Sequence, residues 1–153
     1  MRWTVLGALG VALLAGSALS EDAGLKADRR MAMADLDEEN ALSLKLEVGP
    51  VTITEIRVRN APSPEEVAGA KNDNSHPHPT VTAENHGPSN VRLVLRTSLE
   101  DEQGHAFMTC QRYVKLPAGK TDRWTICFME HMKTADWSRV KTVHLETEVE
   151  LKN

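Results

Sequence analysis

An antiparallel β-sandwich is the fold this sequence predicts, on three observations. From Leu42 onward, about seven short segments either alternate apolar with polar residues or concentrate β-branched ones. Clusters of Gly, Pro, Asn and Ser separate these segments. No helical period longer than a turn or two survives after residue 42. A small barrel would satisfy the same pattern.

The chain opens MRWTVLGALGVALLAGSALSEDAG. Arg2 precedes an apolar run from Val5 to about Leu14. Small residues follow up to Ser20, and Glu21-Asp22 lie behind them. This is the three-part pattern of a secretory signal peptide, with cleavage expected after Ser20. The alternative is an uncleaved anchor, although the run is shorter than the roughly 20 residues of a membrane span. Residues 1–20 are therefore set apart as a signal peptide, 21–41 as an N-terminal linker, and 42–153 as one domain. Removing Arg2 takes the net charge of -4 to -5, with 17 basic against 22 acidic residues. A mildly acidic chain with no basic cluster is poorly suited to nucleic acid or to an anionic membrane surface. No remaining apolar run is long enough to span a membrane once the signal is cleaved. A secreted or periplasmic location follows, with an unidentified protein or envelope component as partner.

In LSLKLEV, Leu42, Leu44, Leu46 and Val48 alternate with polar residues, so a half-buried strand is expected, stopped by Gly49-Pro50. VTITEIRVRN changes phase: Val51 and Ile53 share one parity, Ile56 and Val58 the other. A bulge near Thr54-Glu55, or two short strands, would account for that. Residues 60–79 lose all periodicity and read as a long surface loop. Strands resume at 80–85 and 91–99, the second with Val91, Leu93, Leu95, Thr97 and Leu99 on one face. Two more follow at 106–116 and 122–132, flanking Pro117-Ala118-Gly119-Lys120. A helical turn capped by Thr134 or Asp136 is expected at 133–139. The last strand, 140–152, sets Val143, Leu145, Thr147, Val149 and Leu151 against His144, Glu146, Glu148 and Glu150.

Cys110 and Cys127 are the only two cysteines. In an oxidising compartment one disulfide is the simplest outcome. Free or metal-bound thiols are the main alternative, while a Cys-x-x-Cys redox motif is absent. A hairpin through Pro117–Lys120 would set Cys110 opposite Cys127, Met108 opposite Met129 and Tyr113 opposite Trp124. It would gather Tyr113, Trp124, Ile126 and Phe128 into a core face. Alternatively, the Leu-Pro-x-Gly turn carries the chain to the other sheet, and the cysteines meet across the core.

Two sets of side chains suggest copper or zinc. His76, His78 and His86 lie on or beside the 60–79 loop, and Met108, Met129 and His131 fall on the paired strands. Prolines flanking His78 argue against a common direction for the loop imidazoles. Enzymatic motifs are absent: there is no Gly-x-Ser-x-Gly elbow, no His-Glu-x-x-His and no phosphate-binding glycine loop. Glu146, Glu148 and Glu150 read as a solvated edge, and Glu100–Glu102 as a turn.

The stretch TVTAENHGPSNVRLVLRTSLEDEQGHAF, followed by VKLPAGKTDRWTICF, strings together a strand ending in Asn, a small-residue turn, an alternating strand, an Asp-x-x-Gly turn and a Leu-Pro-x-Gly-x-Thr turn. It resembles the immunoglobulin-like sandwiches of bacterial secreted proteins, such as CARDB and FxLYD-type domains, over about half of the mature chain. The resemblance implies an immunoglobulin-like sandwich with a non-catalytic adhesion, scaffold or binding role. It carries no catalytic residues. The expectation is a non-enzymatic binding module, with an extracytoplasmic copper- or zinc-binding protein as the alternative.

Overall fold

The computed structural model describes residues 24–127 and 129–151, so the signal-peptide reading of residues 1–20 lies outside it. In chain order the strands are β1 (Leu25–Ala32), β2 (Ala41–Val48), β3 (Val51–Arg59), β4 (Asn74–Ser75), β5 (His78–Asn85), β6 (Val91–Glu100), β7 (Ala106–Leu116), β8 (Thr121–Thr125), β9 (Met132–Lys133) and β10 (Thr142–Leu151). One α-helix, α1 (Pro64–Gly69), and 3-10 turns at Met33–Asp35 and Thr134–Arg139 complete the described elements. Two four-stranded antiparallel sheets, β1-β10-β6-β7 and β2-β3-β5-β8, stack into a sandwich, and β4 pairs with β9 beside them. The all-β sandwich is thus as expected, with eight sandwich strands in place of about seven.

Between the sheets lie Val51, Ile53, Ile56, Val58, Val81, Leu93, Leu95, Leu99, Leu116, Val143, Leu145 and Val149, each almost wholly shielded from water. Both phases of β3 reach this core. The β3–β5 register shifts between Ile53 and Glu55, so a bulge at Thr54 turns Ile56 and Val58 inward after Val51 and Ile53. The β2–β3 hairpin closes through Gly49-Pro50, with Val48 opposite Val51. Gly49 has φ 57°, and a Cβ there would press on the end of the Leu25 side chain, so this position favours glycine.

Three segments differ from expectation. The presumed linker contains β1, which pairs along its whole length with β10. Its residues show little apolar periodicity; the backbone ladder with β10 and the buried Met31 hold them, and polar pairs run along the outer face. Lys26 meets Glu148 at 3.5 Å, Asp28 meets His144 at 3.4 Å, and Arg30 meets Glu100 at 3.3 Å. As a result β10 is an interior strand, and Glu148 and Glu150 are ion-paired instead of forming a free edge. The presumed loop 60–79 holds α1 and β4. Ser63 accepts a bond from the Glu66 N–H at 3.2 Å, while the Glu66 carboxylate accepts one from the Ser63 N–H at 2.7 Å; this capping box starts the helix with Pro64 in its first turn. The expected turn at 133–139 is present as a 3-10 turn, but Lys133 occupies its cap position and no side chain caps it.

The third difference is the hairpin between residues 106–116 and 122–132, which does not form; the alternative, a Leu-Pro-x-Gly turn that carries the chain to the other sheet, does. β7 pairs with β6, placing Cys110 opposite Thr97 and Tyr113 opposite Val94; β8 pairs with β5, placing Trp124 opposite Val81. The Leu116–Lys120 turn crosses between sheets because it is stitched to both. The Asn85 amide donates to the Leu116 and Pro117 carbonyls, each at 3.2 Å, and the Asn85 N–H donates to the Lys120 carbonyl at 2.9 Å. The Ala118 N–H donates to Asn90 Oδ1 at 3.0 Å. On β7 the inward face is Met108, Cys110, Val114 and Leu116, whereas Tyr113 is exposed. The expected aromatic core face therefore reduces to Trp124 and Ile126, and Phe128 lies outside the described residues.

Candidate functional site

The two ends of the sandwich are built differently. At one end the strands are joined by tight connections: Gly49-Pro50, His86–Asn90 and Pro117–Lys120. At the other end lie residues 33–40, 60–77, 101–105 and 126–141, which carry α1, the β4–β9 ladder and both 3-10 turns. The elaborated end holds two open grooves on either side of α1. One, of about 690 Å³, is lined by Asn60, Glu66, Asp73, Asn74, Ser75 and His76 among others. The second, of about 600 Å³, runs between α1 and Trp137, with Pro62, Val67 and Ala68 in its wall.

The disulfide between Cys110 and Cys127 forms, with Cα atoms 5.5 Å apart. It joins β7 in one sheet to the segment leaving β8 in the other, so it crosses the sandwich and does not lie within a hairpin. Both cysteines are buried. Arg112 reinforces this side by donating from β7 to the Thr125 carbonyl. Among the described residues, Cys110, Cys127 and Glu130 bring potential ligand atoms within 4.8 Å of one another. The two sulfurs are bonded together, so this cluster is not a metal site in the oxidised protein.

The structure redistributes the expected ligand sets. His86 follows the far end of β5, a strand that alone spans roughly 25 Å and separates it from His76, and lies 3.6 Å from Glu84. It shares no site with the other histidines. His78 is half-buried and tied by Nδ1 to the Cys127 carbonyl at 2.9 Å. Met108 is a core residue opposite Leu99, while Met129 is 86% exposed, so the expected Met108–Met129 pair does not exist. His76 and His131, one from each set, do come together, with ring centroids 5.7 Å apart and planes at 60°.

The path of the chain explains that meeting. β5–β8 and β4–β9 are two lengths of one antiparallel ribbon, interrupted between the Thr80–Thr125 and Ser75–Met132 pairs. Between these pairs the chain has four residues, 76–79, on one side and six, 126–131, on the other, so the side that carries His131 and Met129 is longer by two residues. His76 and His131 stand one step beyond Ser75–Met132, directly opposite each other.

A polar cluster that the sequence did not announce lies beside β1. Glu100 and His144 are buried, with His144 Nδ1 3.2 Å from the Glu100 carboxylate. Burial pushes the Glu100 carboxyl up, but the Ser98 hydroxyl, Arg30 and His144 outweigh it and hold the group below the usual carboxylate range. Asp101 is likewise held low, first by the His105 N–H, which it accepts at 2.9 Å. The only hint in the sequence is a histidine among glutamates on the outer face of the last strand.

No family model and no curated protein matches this chain. Among the described residues, no helix is long and apolar enough to cross a membrane.

Proposed function

We propose that this protein is a secreted or periplasmic, non-catalytic binding module whose working face is the elaborated end of the sandwich. One observation carries the reading: tight turns close one end, while a capped helix, an added ladder, a swollen edge and two grooves accumulate at the other. Rigid sandwiches that bind through loops concentrate them at an end in this way. The disulfide fits an oxidising compartment, and the Arg2–Ser20 pattern supports export. The groove walls present amides, carboxylates and an imidazole together with Pro62, Val67 and Trp137, a mixture suited to a protein or envelope component.

Site-specific photo-crosslinkers test the face. Placed at Glu66 or Asn74 in cells, they are expected to yield a defined adduct that excess purified protein suppresses, whereas one at Ser89 yields none. Equal labelling from both ends, or none from either, would reject the reading. Export is tested separately by N-terminal sequencing, with Glu21 as the expected first residue. An intact cytoplasmic chain would remove the extracytoplasmic part.

A further inference from the structure

We infer that His76 and His131 form a surface site for a divalent transition-metal ion of the copper(II)/zinc(II) class. The inference goes beyond the binding role above and does not depend on it. Four features support it.

The first is spacing. An imidazole nitrogen ligates at about 2.0–2.1 Å, so two rings sharing one ion have centroids roughly 5–6 Å apart. The observed separation is 5.7 Å. The second is the tautomer. His76 Nδ1 lies 3.3 Å from the Glu130 carbonyl, which can only accept, so the ring carries its proton on Nδ1. Its Nε2 lone pair remains for a ligand, and the carbonyl fixes the ring as outer partners of metal-binding histidines do.

The third is support from the scaffold. The β4–β9 ladder places the two residues opposite each other, and buried Pro77 anchors the segment behind His76. Cys127, four residues before His131, is fixed by its disulfide. The fourth is access. His76, Met129 and His131 are all exposed, and Met129 lies two residues before His131 in the chain. With the His76 ring held by the Glu130 carbonyl and His131 opposite it, the remaining positions are left to water, Met129 or a group from a partner.

The test uses the disulfide-bonded protein in non-reducing buffer, because reduction would expose Cys110 and Cys127 beside Glu130 as a rival site. Calorimetric titration with copper(II) and with zinc(II) is expected to show one saturable site. His76→Gln and His131→Gln should each weaken it at least about tenfold, and His86→Gln should leave it unchanged. In the unaltered protein, substoichiometric copper(II) should broaden the His76 and His131 ring resonances before those of His86 and His105, a readout that needs no variant. Unchanged affinity in the double variant would overturn the site. So would the absence of saturable binding up to about 1 mM, or broadening centred on other histidines.

Discussion

Glu100 keeps its charge where burial opposes it, and the cost is met by the Ser98 hydroxyl, the Arg30 guanidinium and His144. Because its folded-state pKa lies below the unfolded value, the stabilisation is complete above the ordinary carboxylate range. It is lost as pH falls through the depressed folded value. Glu100→Gln should therefore destabilise the protein near pH 7, with a deficit that shrinks toward about pH 3, as read from urea midpoints at the two pH values. A deficit independent of pH would assign Glu100 a purely steric role. Asn85 acts through neutral bonds. It is 2% exposed; its amide serves the Ser89, Leu116 and Pro117 carbonyls while its Oδ1 accepts from the Gly87 N–H. Asn85→Ala should cost about 2–3 kcal/mol in chemical denaturation, because it leaves buried carbonyls without donors. A loss under about 0.5 kcal/mol would show that water replaces the amide.

At the scale of single elements, legibility followed the source of each element's stability. β6 and β10 are fixed by apolar alternation, and their inward faces could be read residue by residue from Val91 to Leu99 and from Val143 to Val149. The phase change in β3 likewise announced its bulge. β1 could not be found that way, since it is placed by its ladder with β10 and by Met31 in the core, with polar partners for Lys26, Asp28 and Arg30 seventy or over a hundred residues distant, none of which a local window contains. On β7 the aromatic side chain misled: Tyr113 lies outside, with Arg92 stacked 4.9 Å from its ring and Gln111 bonded to its hydroxyl at 2.6 Å. The α1 signal was present as Ser63-Pro64-Glu65-Glu66 and was obscured by the surrounding Pro, Gly and Asn residues. Ser63→Ala should raise amide exchange across α1 by about fivefold, corresponding to roughly 1 kcal/mol of cap stabilisation, with little change in global melting. A comparable fall in global stability would mean that α1 unfolds only with the sandwich.

Over the whole molecule, the disulfide fastens the β7–β8 side of the sandwich much as the backbone ladder fastens β1 to β10. Replacing Cys110 and Cys127 together by Ala should cost about 3 kcal/mol and lower the melting temperature by roughly 10 °C. An unchanged melting temperature would show that packing alone holds the sheets together. Of the candidate site, the histidines could be named from sequence, but their partnership could not. His76 and His131 are 55 positions apart, and their meeting depends on two extra residues in a ribbon whose existence required α1, β4 and β9 to be placed first. The pairing of β1 with β10 has a consequence in time. Leu25 finds Val149 only after every residue between them has been made, and β6 remains without its neighbour β10 until then. The β2-β3-β5-β8 sheet and the β6–β7 ladder have all their residues earlier, so the sheet containing β1 is the one completed last. Stopping synthesis before β10 should leave a protease-sensitive polypeptide in which β1 and β6 lack the strand that lies between them.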